Sequence, residues 1–287
     1  DDALSLDNAF SGKVTGFERL LINDSAVSKA VNLEKLGFTN YVTTSGSTGT
    51  LTLNNLANNG TVVMTAATTG TTVTIKDATT GEADVLNVEI TNDTITAFGT
   101  LTAHKIETVN LTATDVFTDV TVKDGKDDNN SAQTMTFTSD TTTALNVAGT
   151  AGLDLTLTNA SKLVTIDASK MTEGGLTVAA NGKNAMTITG GAGNDVLTAS
   201  ATKADILVGG AGNDTLYAGT NGASLTGGTG NDLFVLAATG ALTGNKEANT
   251  YSSIKDFQAG DLLQLKHFDT TVELVKGFDK LEAALNP

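Results

Sequence analysis

Gly190-Gly191-Ala192-Gly193-Asn194-Asp195-Val196-Leu197-Thr198 is followed by two stretches of the same form. These are Gly209-Gly210-Ala211-Gly212-Asn213-Asp214-Thr215-Leu216-Tyr217 and Gly227-Gly228-Thr229-Gly230-Asn231-Asp232-Leu233-Phe234-Val235. Each reads G-G-x-G-x-D-x-U-x, where U is a large apolar residue. The glycines at the first, second and fourth positions permit positive φ and let the backbone turn its carbonyl oxygens inward. The aspartate at the sixth position adds a charged oxygen, and the apolar eighth position points into a core. One short phrase thus holds oxygen ligands for a hard cation and a fold to present them.

The chemistry of that ligand set favours calcium. Calcium accepts about six to eight oxygens, carbonyl and carboxylate mixed, whereas magnesium demands tighter octahedral geometry and retains waters. Zinc prefers His or Cys, and neither lies within the phrases. The candidate ligands are the side chains of Asp195, Asp214 and Asp232, with the backbones of Gly190, Gly191, Ala192, Gly193, Gly209, Gly210, Ala211, Gly212, Gly227, Gly228, Thr229 and Gly230. The phrases start roughly two nonapeptides apart, with degenerate copies between them. Asp205-Ile206-Leu207 keeps the aspartate and the core residue but lacks the glycines, with one inserted residue. Ala218 to Thr226 keeps Gly219 and Leu225 and has Ala223 where the aspartate should stand. With two nonapeptides to a coil, the full phrases stack on one side, predicting two ions between them and Asp214 bridging both.

Composition sets the class around this segment. The chain has 287 residues, with 17 Lys plus Arg against 32 Asp plus Glu, a formal charge of -15. That balance argues against nucleic acid and anionic lipid as main partners, because both require basic surface. It suits a chain whose charge is completed by bound cations. With no cysteine, disulfides cannot hold the chain together. No apolar run approaches the roughly 18 to 20 residues of a membrane span, so no membrane insertion is expected. The start at Asp1 reads as a fragment of a longer chain. Threonine, β-branched and strand-favouring, occurs 51 times. The expectation is an all-β protein.

Apolar-Thr-apolar triplets mark the strands: Leu51-Thr52-Leu53, Val73-Thr74-Ile75, Val120-Thr121-Val122, Met135-Thr136-Phe137, Val164-Thr165-Ile166, Leu176-Thr177-Val178 and Met186-Thr187-Ile188. Alternation of period two gives each strand one buried face. From residue 145 to 188 the triplets recur about every ten residues, a spacing suited to a solenoid coil. The first half is spaced more loosely, and a sandwich stays open there. Gly16-Phe17-Glu18-Arg19-Leu20-Leu21-Ile22 and Lys105-Ile106-Glu107-Thr108-Val109-Asn110-Leu111 echo each other, and the repeated Glu reads as a hydrogen-bond acceptor at a coil edge. Val31 to Gly37 could form one short helical turn. Gly277 to Asn286 reads as an amphipathic helix with Phe278, Leu281 and Leu285 on one face. Lys123 to Asn130 is a polar break, and Asp124, Asp127, Asp128, Asp256 and Asp261 are further candidate ligands.

The three phrases resemble the calcium-binding nonapeptides of RTX proteins. Ile254-Lys255-Asp256-Phe257-Gln258-Ala259-Gly260-Asp261-Leu262-Leu263-Gln264-Leu265 resembles the segment I-x-D-F-x-x-G-D-x-L-x-L that closes their roll. The resemblance implies a parallel β-roll, Ca2+ as cofactor, and a C-terminal cap near an uncleaved type I secretion signal. The Thr-rich triplets, Val164-Thr165-Ile166-Asp167-Ala168-Ser169, Phe17-Glu18-Arg19-Leu20 and Ile106-Glu107-Thr108-Val109-Asn110 are similar to stretches of calcium-dependent surface-layer (S-layer) proteins of Gram-negative bacteria. This second resemblance implies an extracellular, cell-surface protein that self-associates into a two-dimensional lattice. It also implies anchorage to lipopolysaccharide through a region outside this chain. The expected division is a Thr-rich β domain at 1–144, a β-solenoid at 145–250 with full repeats at 190–235, and a cap and secretion-proximal segment at 251–287.

Chemistry finds little support in the residues. His104 and His267 are the only histidines, which rules out an H-E-x-x-H zinc site, and there is no G-x-S-x-G elbow or cysteine nucleophile. The expectation is a structural protein and not an enzyme. An RTX adhesin or biofilm-matrix protein, or the non-catalytic C-terminal module of a secreted enzyme, stays open beside the S-layer reading.

Overall fold

In the computed structural model, residues 19–23, 28–37, 39–78, 83–92, 97–115, 133–237 and 252–266 are described. Their strands fall into two parallel sheets of eleven strands each, and the chain visits the sheets alternately. The first sheet runs Leu20–Ile22, Tyr41–Thr44, Thr61–Met64, Val85–Asn92, Thr108–Asp115, Ala144–Gly149, Thr165–Met171, Thr187–Thr189, Asp205–Ala211, Ala223–Thr229 and Ser253–Ile254. The second runs Lys29–Asn32, Ser47–Leu56, Thr68–Ile75, Ala97–His104, Gln133–Ser139, Leu153–Thr158, Leu176–Ala179, Val196–Thr198, Thr215–Tyr217, Leu233–Ala237 and Leu262–Lys266. Every strand therefore hydrogen-bonds to the strand one coil away and none to its neighbour in sequence. The architecture is a parallel β-solenoid with a single apolar interior between the two sheets.

The interior is built from ranks of equivalent residues. In the first sheet, Leu145, Ile166, Ile188, Leu207, Leu225 and Ile254 stand in register. In the second, Leu155, Val178, Leu197, Leu216, Phe234 and Leu263 do the same. Leu197, Leu216 and Phe234, the eighth positions of the three phrases, are buried, as is Leu225 of the degenerate copy. Alternation puts their neighbours outside, which explains why the triplets are legible: Leu51 and Leu53 are buried while Thr52 is half-buried. Val164 departs from this pattern, since its strand starts at Thr165 and Val164 is 40% exposed on the preceding turn.

The looser first half is the same solenoid and not a sandwich. Strands from Leu20–Ile22 to Thr108–Asp115 alternate between the same two sheets as the later ones. Only the coil length changes. The amide of Asn146 bonds Asn110 at an offset of 36 residues, and that of Asn110 bonds Asn87 at 23, while the glycine phrases repeat at 19 and 18. Those asparagines form a ladder at 2.8 and 2.9 Å.

The chain crosses from sheet to sheet along two edges. At the edge leading from the second sheet to the first, Leu33–Leu36 forms one helical turn, with Asn32 Oδ1 accepting from the Lys35 N–H and Gly37 closing it at φ 78°. On that same edge Glu107 Oε2 accepts from the Asp84 N–H, the edge-acceptor role expected of it. Glu18, Val120 to Val122, Asp124, Asp127, Asp128, His267 and Gly277 to Asn286 lie outside the described residues. Among the described residues no helix is long and apolar enough to cross a membrane.

Candidate metal centre

The three phrases lie on the edge leading from the first sheet to the second, one coil apart. Strands Val196–Thr198, Thr215–Tyr217 and Leu233–Ala237 pair in parallel directly after them, which fixes the stacking. Asp195, Asp214 and Asp232 occupy equivalent places and are each only 1% exposed. They form a ladder through the backbone. Asp195 Oδ1 accepts from the Leu176 N–H at 2.5 Å, Asp214 Oδ1 from the Asp195 N–H at 2.8 Å, and Asp232 Oδ1 from the Asp214 N–H at 2.9 Å. Asp261 Oδ1 continues it, accepting from the Asp232 N–H at 3.0 Å. Beside this ladder runs a second one, in which the N–H groups of Asn213 and Asn231 donate to the side-chain oxygens of Asn194 and Asn213.

The glycines serve two different needs. In the second and third loops the second and fourth positions have positive φ: Gly210 and Gly212 at 119°, Gly228 at 105° and Gly230 at 136°. The first position does not. A Cβ on Gly190, Gly209 or Gly227 would collide with the outer carboxylate oxygen of Asp195, Asp214 or Asp232, so glycine there makes room for the carboxylate. The expectation of positive φ at all three glycine positions is corrected on this point. The first loop also differs, since Gly191 and Gly193 are not in the left-handed region.

The outer oxygens divide the aspartates further. Asp195 Oδ2 accepts from the Gly191 N–H of its own loop at 2.8 Å. Asp214 Oδ2 is buried without a hydrogen-bond partner. In the same loop the Ala211 N–H donates to the Gly191 carbonyl and the Gly212 N–H to the Thr229 carbonyl. A buried anionic oxygen left bare is costly. Burial accordingly pushes the Asp214 carboxyl up to about 7, with the Asp195 and Asp232 charges adding to the rise and the Asp195 N–H opposing it. Burial likewise lifts Asp195 to about 6, against the pull of the Leu176 and Gly191 N–H groups, and raises Asp232, with Asp261 and Asp256 contributing.

This arrangement fits calcium. The orphaned Asp214 oxygen calls for positive charge, and the Gly209 and Gly227 carbonyl oxygens approach the backs of the adjacent loops. Among the described residues no three carboxylate, imidazole or thiol side chains converge. A cation held here would therefore draw much of its shell from backbone oxygen, which suits calcium better than magnesium or zinc. The family model for the RTX calcium-binding nonapeptide repeat (4 copies) matches residues 187–202 and 201–234. Residues 187–234 are thus similar to RTX repeats. No curated protein matches the chain.

Two groups outside the full RTX repeats share their hydrogen bonding. Asp205, in the degenerate copy on the opposite edge, accepts from the Met186 N–H through Oδ1 and the Ser200 N–H through Oδ2, both at 2.7 Å. Its own-loop donor lies five residues back where that of Asp195 lies four back, which is the inserted residue seen in sequence. Ala223, where the aspartate is missing, pairs in register with Asp205. In the cap segment, Asp261 Oδ2 accepts from the Gln258 N–H, and Asp256 accepts from the Gly227 and Gly228 N–H groups at 2.9 and 2.8 Å. Phe257 lies against Phe234 with ring centroids 5.9 Å apart. All four oxygens of Asp256 and Asp261 thus accept from backbone N–H groups, so the two residues close the third loop as hydrogen-bond acceptors. Of the histidines, His104 is exposed and pairs through Nδ1 with Asp140 at 2.5 Å.

Proposed function

We propose that this chain is a calcium-stapled structural segment of an S-layer protein, without catalytic activity of its own, and that its RTX repeats bind two calcium ions along one edge. The observation that carries the calcium reading is the buried, unpartnered Oδ2 of Asp214 between stacked glycine loops. Asp195, Asp214 and Asp232 are the carboxylate ligands, and the backbones of the loops from Gly190, Gly209 and Gly227 supply the rest. Calcium when bound supplies the positive charge that these buried carboxylates otherwise lack. Because the binding free energy is then folding free energy, the repeats fold as calcium is taken up. Export by type I secretion places this step outside the cell, where the ion is abundant.

The lattice part of the reading is supported by the resemblance of the Thr-rich strands to S-layer proteins, and by a solenoid that presents two broad sheet faces to neighbours. Electron microscopy of the purified chain, with calcium and with chelator, tests it. Ordered sheets that form only with calcium are expected. Isolated rods under all conditions would replace the lattice by an adhesin-like role while leaving the calcium site untouched.

A further inference from the structure

Threonine fills part of the outer face of the second sheet in a regular pattern that the calcium site leaves unused. Thr52, Thr72, Thr102, Thr138 and Thr158 stand level with one another on five consecutive coils. Two residues back along the strand, Thr100, Thr136 and Thr156 stand level on three. That second file continues to Gly70 and Thr50. Leu101 and Phe137, between the files, are buried, so the threonines point away from the interior. Thr156 and Thr158 are exposed and the others are half-buried. Neither file holds a charged or aromatic side chain over these coils. The first sheet has no such field. Its outer face carries Asn146 and Asp167 in one file, and Glu89, Thr112, Ala148 and Lys170 in the next.

Apart from Thr50, which bonds Ser28, the hydroxyls of these files take no partner among the described residues. Those of Thr65, Thr69 and Thr142, by contrast, donate to carbonyl oxygens. A β-branched side chain is stiff at χ1, so hydroxyl and methyl are held in set directions before any ligand arrives. The coils give one spacing, ~4.8 Å, and two residues along a parallel strand give the other, ~6.6 Å. The result is a rectangular net of hydroxyl and methyl groups. Both of its spacings are near the repeats of water oxygens on a prism face of hexagonal ice. Beside Thr136 and Thr156 the surface falls into a depression of about 660 Å³ that also takes in Thr134, Asp154 and Thr177, and there the net ends.

From this net of unpartnered threonine hydroxyls we infer that the outer face of the second sheet binds ice. Waters held on successive threonines take up the spacing of the crystal, and the methyl groups between them exclude competing water. One such bond is weak, but many made together from a rigid surface hold. A soluble polyanion fits less well, since the files offer it no lysine or arginine. A crystalline polysaccharide fits less well too, because the files have no aromatic ring for a sugar to lie on. A second copy of the chain would meet the face with little apolar surface to drive the contact. The net lies in coils that precede the glycine phrases, so the inference stands apart from the calcium reading.

The test uses the full chain at one saturating calcium concentration in every arm, and reads the share of protein taken up by a slowly grown ice hemisphere. The unaltered chain should concentrate in the ice. Thr102→Lys with Thr138→Lys, at the centre of the net, should cut uptake about tenfold or more at an unchanged circular dichroism spectrum. Thr136→Lys with Thr156→Lys, in the other file, should do the same, so that misfolding of one variant leaves the other to decide. Thr112→Lys with Thr165→Lys, on the outer face of the first sheet, should leave uptake as it was. Exclusion of the unaltered chain from ice would overturn the inference. Equal uptake of both net variants would also overturn it, since another part of the surface would then hold the ice. So would self-association that the same lysines abolish, measured by sedimentation in the cold, because a second copy would then occupy the net.

Discussion

Asp205 and Asp214 sit on opposite edges of the same solenoid, equally buried and each bonded through Oδ1 to a backbone N–H one coil back. Their second oxygens differ. That of Asp205 receives the Ser200 N–H, while that of Asp214 receives nothing. Ordinary residues on the Asp205 turn fold back so that an N–H meets the carboxylate. The glycines around Asp214 hold the backbone at positive φ and direct the nearby amides to other carbonyls. The same side chain at the same kind of position is thus a self-sufficient clip on one edge and an incomplete site on the other. The backbone geometry decides which: Asp195, on the same edge as Asp214 but in a loop whose Gly191 and Gly193 are not left-handed, has both oxygens bonded.

Calcium withdrawal is the strongest way to test that contrast. Hydrogen exchange with chelator should lose protection across residues 187–235 and keep it in the strands from Tyr41–Thr44 to Leu176–Ala179, which precede the glycine phrases. Saturation of one site at a hundredfold excess over Kd stabilises by about 2.7 kcal/mol, so two sites are enough to decide whether the segment folds. Full protection of 187–235 without calcium would show that Asp214 needs no ion.

The next largest effect is expected from Asp205→Ala. It strands the Met186 and Ser200 N–H groups and should cost roughly 2–4 kcal/mol, equally with and without calcium, in thermal or denaturant unfolding. Asp214→Asn should behave in the opposite way. It keeps an oxygen for the Asp195 N–H and removes the uncompensated charge, so the chelated protein should gain about 1–2 kcal/mol while the response to calcium falls away. If both variants lose the same stability under chelator, the two edges are not different in kind.

pH offers a smaller test. The folded-state carboxyls of Asp195 and Asp214 are raised, to about 6 and about 7, above the ordinary 3.8. Between 3.8 and those values these two carboxyls hold more protons in the folded chain than in the unfolded one, so without calcium the stability they contribute is fully present below about pH 4 and is lost as pH rises to about 7. Calcium binds the ionised carboxylates, so in its presence the trend should reverse. Melting curves at pH 4 and pH 8, with and without calcium, read both signs. The smallest change is expected from Asn110→Ala, which breaks the amide ladder in the first half and should cost about 1 kcal/mol whatever the calcium level.

Much of this was written plainly in the chain. Alternating triplets gave the strands, and the phrases gave the edge where the aspartates stack, because each depends on residues close in sequence. The continuity of the first half was harder to read, since coils as different as 36 and 23 residues end in the same ladder and hide the period. Asp205 could be placed as a weakened repeat, but its equivalence to Asp195 rests on a long-range bond to Met186. The orphaned oxygen of Asp214 was invisible for a related reason. All three phrases spell the same ligands, and only the packed loops show which amides have been spent on other carbonyls.

The step from Asp232 to Asp261 spans 29 residues yet ends in the same carboxylate-to-backbone bond as the steps of 18 and 19 before it. Register here is kept in space and not in residue count. The next coil lands on the same rung whatever the number of residues before it. A foreign peptide inserted between Ala237 and Ser253 is therefore expected to leave the bond from the Asp232 N–H to Asp261 in place.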